Sequence, residues 1–256
     1  MATNNHSSTK LVKYPKLILF GDSLTEYGFG EGGFFGSHIA HFLQGRCDVV
    51  CRGYSGYNTR WCKLVLPSIV NRPMMIDDDV VAVVIFLGAN DSVDKLLKPS
   101  QHVPVDEFGD NLREMVEYLL SIGLRRNQII LASLPAFDEK KWKKHCEEKG
   151  KPFGKFESAG RGYYESCKQV AESCGTEFVD LFQSMLKQPD WKSMLNDGLH
   201  FSESGGKFVA EQMLKRIPTD HLRIIHPLWD TIDNDNPRAV LDQWLLEISD
   251  KQIINQ

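Results

Sequence analysis

Val80-Val-Ala-Val-Val-Ile-Phe-Leu87 is the stretch on which the fold turns. β-Branched residues crowd it and no polar residue alternates with them, which is the composition of a strand covered on both faces. Such strands belong to parallel sheets packed between helices. Working outward, Lys16-Leu-Ile-Leu-Phe20 reads as another buried strand, halted by the turn signal Gly21-Asp22. Asp48-Val-Val-Cys51 is a short strand ended by Gly53, Gln128 to Ser133 is stopped by Pro135, and Thr176 to Leu181 completes the set.

Between these strands the apolar spacing turns helical. Residues 33–43 carry Phe34, Phe35, Ile39, Phe42 and Leu43 at that spacing. A helix is expected from Thr59 to about Val70, with Thr59 as N-cap and Leu64, Val65 and Ile69 as its apolar residues, despite Pro67. Pro104 to Ser121 shows the stripe Phe108, Leu112, Met115, Val116 and Leu119. Ser158 to Cys174 and Ser202 to Arg216 are the remaining helices. The alternation predicts an α/β fold, a doubly wound five-stranded parallel sheet with helices on both faces, and right-handed crossovers fix most of its topology.

The chain divides by composition into a polar tail (1–15), one domain (16–217) and an appendix (218–256) broken by Pro218, Pro227 and Pro237. The apolar patch Val240 to Ile248 of the appendix is expected to pack on the domain or on a second subunit. Glu139 to Lys155, dense in Lys and Glu, reads as an exposed excursion with a solvated face.

With 256 residues, 42% hydrophobic and 25% charged, the chain can bury a core without disulfides or metals. A net charge of −4 gives no reason to expect nucleic acid or an anionic membrane, and favours a small neutral ligand. No stretch nears the ~18 apolar residues of a membrane span, and the opening residues show no signal peptide, so a cytoplasmic protein is expected. The six cysteines (47, 51, 62, 146, 167, 174) lack zinc or CxxC spacing and are expected as packed thiols. Asn90-Asp-Ser92 spells a glycosylation sequon, but a glycan there would obstruct the site described next.

In doubly wound sheets, ligands sit beyond the carboxyl ends of the strands. Asp22 and Ser23 follow the first strand, Gly53 the second, and Gly88-Ala-Asn90-Asp91 the third. Asp197-Gly-Leu-His200 precedes the last main helix. A serine hydroxyl attacks an acyl carbon only if a base takes its proton, and a neutral imidazole suits that task. Ser23 is the candidate nucleophile, His200 the base and Asp197 the carboxylate that fixes its tautomer. The backbone N–H groups of Ser23 and Gly53 and the side-chain amide of Asn90 are candidate oxyanion donors. Gly53 fits because a missing Cβ lets backbone approach a ligand.

Each residue also has a plainer reading. Ser23 could be a helix N-cap, Asp197-x-x-His200 a cap beside a surface histidine, and Asn90 an Asx-turn residue. Gly53 and Gly88 could serve tight turns, while Asp22 and Asp91 read as loop organisers supporting the site. Tyr54, Tyr57 and Trp61 are equally candidates for pocket lining or for core. Gly28-Phe-Gly30-Glu-Gly-Gly33 matches a dinucleotide fingerprint on paper, but it lies too far beyond Phe20 and lacks the acidic partner at the end of the second strand. His38 and His41 share a helix face without a third metal ligand.

Gly21-Asp22-Ser23-Leu24, Gly53, Gly88-Ala-Asn90-Asp91 and Asp197-Gly-Leu-His200 resemble, in order, the four sequence blocks of the SGNH (GDSL-type) hydrolases. The resemblance spans Lys16 to Arg216 and implies a three-layer α/β/α fold, no metal or other cofactor, and Ser23, Gly53, Asn90 and His200 as the residues that name the family. Arg52-Gly-Tyr-Ser-Gly-Tyr-Asn-Thr-Arg60, the Asp-Gly-Leu-His-Phe-Ser run and the appendix are similar to the isoamyl acetate-hydrolysing esterases. The segment Leu134 to Phe156 has no equivalent placed by this likeness. The expected activity is hydrolysis of small, short-chain acetate-type esters through an acyl-enzyme on Ser23. An acyltransferase, a carbohydrate acetylesterase or a lysophospholipase would use the same triad. A non-catalytic binding module would lack a triad member, and every member is present.

Overall fold

The computed structural model describes residues 12–30, 34–77 and 79–254. The polar residues 1–11 and Glu31-Gly-Gly33 of the glycine-rich stretch lie outside them. Five strands, β1 (Lys16–Gly21), β2 (Asp48–Gly53), β3 (Val80–Phe86), β4 (Ile129–Ala132) and β5 (Glu177–Val179), form one parallel sheet in the order β2-β1-β3-β4-β5. That is the flavodoxin-type order, with the topological switch between β1 and β3. The helices are α1 (Ser23–Glu26), α2 (Phe35–Phe42), α3 (Thr59–Ile69), α4 (Arg72–Asp77), α5 (Val105–Ser121), α6 (Glu139–Glu148), α7 (Glu157–Cys174), α8 (Leu181–Leu186), α9 (Glu203–Leu214) and α10 (Pro237–Ile254).

The period of two along a strand divides the core. Leu17 and Leu19 of β1, with Val84 and Phe86 of β3, enter one apolar layer with Phe35 and Ile39 of α2 and Val209 and Met213 of α9. Ile18 and Phe20, with Val83 and Ile85, enter the other with α3, α5 and α7. Every residue of β3 is buried, as its unbroken apolar composition requires.

Local differences from the sequence reading have physical causes. Asn58, not Thr59, caps α3 by accepting the Trp61 N–H at 3.1 Å. Cys62, Leu66 and Val70, spaced four apart, take the inward face, so Leu64 is exposed. The fifth strand stops at Val179 because Asp180 accepts the Gln183 N–H and starts α8. Glu139 to Lys155 is not a free excursion: it holds α6, and Cys146 and Lys155 are buried.

Past α9, Leu222 joins the first core layer, the Ile225 N–H donates to the Gly45 carbonyl at 2.9 Å, and the Trp244 indole N–H donates to the Ile225 carbonyl. Among the described residues no helix is long and apolar enough to cross a membrane.

Candidate active site

The switch between β1 and β3 leaves a crevice at the carboxyl ends of the strands, where the chain after β1 turns at once into α1. Asp22 caps that helix, accepting the Leu24 N–H at 2.9 Å. Ser23 is thus the first helical residue, not the cap, and the plain capping reading passes to its neighbour. The turn is tight: a Cβ on Gly21 would stand 2.3 Å from the Phe86 carbonyl oxygen.

Across 177 residues of sequence, Ser23 Oγ meets His200 Nε2 at 3.0 Å. His200 Nδ1 lies 2.7 Å from Asp197 Oδ2, while Asp197 Oδ1 accepts the Leu199 and His200 N–H groups at 2.9 and 2.8 Å. The capping and ring-holding readings of Asp197 therefore coexist in one carboxylate. Burial works to raise the Asp197 pKa, but the hydrogen bond and charge of His200, with the two backbone donors, overcome it and bring it to about 2. An ionised carboxylate only accepts, so Nδ1 carries the ring proton and Nε2 is left to accept from Ser23. Gly198, at φ +99, makes the turn possible.

Gly53 ends β2 in register with Gly21. A Cβ there would lie 2.0 Å from the Glu26 nitrogen and 2.7 Å from the Thr25 carbonyl carbon. The missing side chain thus admits the backbone of α1, in addition to anything it does for a ligand. Asn90 follows β3; its Nδ2 donates to the Tyr57 carbonyl at 2.8 Å and its Oδ1 accepts from Gln101 Nε2 at 3.4 Å. These sequence-distant partners set the orientation of the amide. Gly88 has φ +119, so its turn role is real.

Asp91 is fully buried and accepts from both the backbone N–H (2.9 Å) and the hydroxyl of Thr59. Burial dominates and raises the Asp22 pKa to about 7 and that of Asp91 to about 6. The candidate lining residues pack in a chain: Tyr54 to Tyr57 at 5.3 Å and Tyr57 to Trp61 at 5.6 Å between ring centroids. Tyr54 also meets Phe20 edge-on, and both tyrosines pack on the second core layer.

The rings nearest the imidazole are others. Tyr27 and Trp142 both stand edge-on to His200, at 5.5 and 5.8 Å. Trp142 stacks on His145, whose Nε2 is 3.9 Å from Asp197 Oδ2. The Asp197–Gly198 turn presses on this helix: a Cβ on Gly198 would fall 2.4 Å from the Trp142 nitrogen. Thus α6, read from its lysines as solvated, walls the site through Trp142 and His145. The available signal was their spacing of three in a helical stretch, which puts them on one face. Among the described residues no His/Cys/Asp/Glu group is arranged to hold a metal ion.

With this geometry in view, comparison with known proteins is specific. The model of the GDSL-like lipase/acylhydrolase family matches residues 19–208. The chain is 40% identical over 239 residues to an isoamyl acetate-hydrolyzing esterase 1 homolog of Mus musculus, covering 92% of this chain and 95% of that one. It is 36% identical to a GDSL esterase/lipase of Arabidopsis thaliana, over 90% of this chain and 98% of that one. A lipase/acylhydrolase from Enterococcus faecalis has the same fold, with a TM-score of 0.62 at 22% identity over 83% of this chain and 100% of that one. The acetylxylan esterase Axe2 of Geobacillus stearothermophilus does too, with a TM-score of 0.59 at 23% identity over 83% and 98%.

Proposed function

The chain belongs to the GDSL-like lipase/acylhydrolase family and is a carboxylic ester hydrolase, and on that premise we propose that it hydrolyses small, short-chain esters through an acyl-enzyme on Ser23. The observation that carries this reading is the unbroken contact from Ser23 Oγ to His200 Nε2 and from Nδ1 to Asp197. As Ser23 attacks the acyl carbon, its proton passes to Nε2, and the Asp197 carboxylate stabilises the imidazolium that forms. The N–H groups of Ser23 and Gly53 and the Asn90 amide receive the oxyanion. Collapse expels the alcohol, which takes the proton back from Nε2. Water, activated by the same nitrogen, then releases the acid and restores Ser23.

Two observations support a small substrate. The aromatic rings of Tyr27 and Trp142 crowd the imidazole, and the mammalian relatives are named for isoamyl acetate hydrolysis. Residues 16–217 carry every catalytic group, with 1–15 and 218–256 as additions. The six unpaired cysteines support a reducing compartment, the cytoplasm.

Ser23→Ala tests the reading. It is expected to abolish turnover of p-nitrophenyl acetate and labelling by a fluorophosphonate; retained turnover, or label on another residue, overturns it.

A further inference from the structure

Resting on the acyl-enzyme reading above, we propose that Lys155 is a positioning residue for ester hydrolysis: its buried ammonium pins the Ala89–Ser92 turn that carries Asn90 and faces the carboxylates of Asp22 and Asp91. Lysine is rarely buried without partners, yet Lys155 is only 3% exposed. Its Nζ donates to the Ala89 carbonyl and, at 3.3 Å, to Ser92 Oγ, one residue to either side of Asn90-Asp91. The same ammonium lies over the Phe137 ring, 5.4 Å from its centroid. The backbone fastens the contact: Lys155 bridges Val93 antiparallel, and the Asp94 N–H donates to the Gly154 carbonyl at 2.7 Å. The turn that presents the Asn90 amide is thus held at its carbonyl, its hydroxyl and its backbone by one stretch of chain.

The second part is charge. Asp22 precedes the nucleophile and Asp91 follows Asn90. Each has one carboxylate oxygen engaged, and Oδ2 of each is buried without a hydrogen-bond partner among the described residues. Lys155 is the buried cation whose charge favours both ionised carboxylates. A neutral side chain of similar volume would fill the space without the cost of burying an ammonium. It would leave the Ala89 carbonyl without this donor and the two carboxylates without their counter-charge. The consequence falls on the placement of Asn90 and Ser23, hence on the chemical step rather than on substrate capture.

Burial also pulls the Lys155 pKa down to about 8, against the opposing pull of Asp22 and Asp91 and with a contribution from Lys98. Around the carboxylates stand Cys62, Tyr163 and His200. The cation is present below about pH 8 and is lost as pH rises through that value. An arginine, charged throughout, does not titrate there.

The test is steady-state turnover of p-nitrophenyl acetate against pH for the wild type, Lys155→Arg and Lys155→Met, with Ser23→Ala as control. Wild-type kcat is expected to fall above about pH 8 with KM little changed, and Lys155→Arg to lose that fall. Lys155→Met should lose about a hundredfold in kcat with KM within about threefold. Where Lys155→Met folds poorly, adding Asp22→Asn removes one uncompensated charge and should restore Tm but not kcat. A wild-type rate that stays level through pH 8, equal loss in both lysine variants, or kcat recovered together with Tm overturns the proposal. Activity surviving in Ser23→Ala instead overturns the acyl-enzyme reading on which it rests, so the two failures are distinct.

Discussion

Asp197 Oδ2 faces two imidazoles, His200 Nδ1 at 2.7 Å and His145 Nε2 at 3.9 Å. Only the first distance is a hydrogen bond. The carboxylate is therefore committed to His200, and His145 with Trp142 forms a wall beside it. Asp197→Asn keeps the Oδ1 acceptor for the turn but loses the charge that holds the tautomer. It is expected to lower kcat about 10⁴-fold, as in other serine triads, while His145→Gln stays within about tenfold of wild type. Ester kinetics on both variants decide this; equal losses would make His145 a full partner in the relay.

Asn90 offers an amide whose orientation is set from outside its own turn. Gln101 Nε2 donates to Asn90 Oδ1 and, at 2.9 Å, to the Gly56 carbonyl, while Asn90 Nδ2 donates to Tyr57. Asn90→Ala is expected to lower kcat by about 10²–10³-fold with little change in KM. Gln101→Leu leaves the Tyr57 bond alone to hold the Asn90 amide, so a smaller loss of about tenfold in kcat is expected, within the range for a misplaced catalytic group. A change confined to KM in either variant would place these residues in substrate binding instead.

What could be read from the chain, and what could not, follows from how each residue acts. β1 and β3 bury both faces, so their composition alone announces the parallel sheet, and the carboxyl ends of the first three strands then point to Ser23, Gly53 and Asn90 as candidates. Gly53 reads from the sequence as a point of ligand approach or a tight turn, but its first contact is the backbone of Thr25 and Glu26, a tertiary relation no local pattern encodes. Helix α6 is hidden by averaging: Lys140, Lys143 and Lys144 on its outer side dominate its composition, while Trp142 and His145 on the opposite side reach the site, with Lys141 beside them donating to the Leu195 carbonyl. Lys155 was lost in the same way, since a lysine reads as solvated until a buried carbonyl is found at its tip. Asn58 and Thr59 are both good caps, and only the fold chose between them.

Gly53→Ala follows from that contact. The added methyl would overlap the Glu26 nitrogen and Cα at 2.0 and 2.3 Å, and these are backbone atoms that cannot rotate away. β2 and α1 must move apart, which is expected to cost about 1–3 kcal/mol of stability and to displace Ser23 from His200. Chemical denaturation should show the loss, and fluorophosphonate labelling of the folded fraction should be slowed. Labelling at the wild-type rate would mean that the turn absorbs the strain without moving Ser23.

The buried carboxylates give the protein an unusual stability profile on the acid side of neutrality. Burial raises the Asp22 pKa from 3.8 to about 7 and that of Asp91 to about 6. Between 3.8 and these values the folded protein holds protons that the unfolded chain has released, so stability falls as pH rises across that window. Asp197 acts with the opposite sign, but its window lies lower: its stabilisation is complete above 3.8 and is lost as pH falls towards about 2. Lys155 exchanges its proton only above about 8. Glu107, lowered from 4.5 by its bond to Arg60, acts below that value, so the interval from about pH 5 to 7 reports the two buried aspartates. Asp22→Asn keeps the Oδ1 acceptor for Leu24 and removes the titrating charge, so its Tm should vary less with pH than that of the wild type. Each aspartate contributes on the order of 1 kcal/mol per pH unit of its own window at most, equivalent to roughly 2–4 °C in Tm for a chain of this size. Thermal unfolding at intervals across the window measures the slope directly. An Asp22→Asn curve parallel to the wild type would show that Asp22 is already ionised throughout, with Lys155 holding its charge.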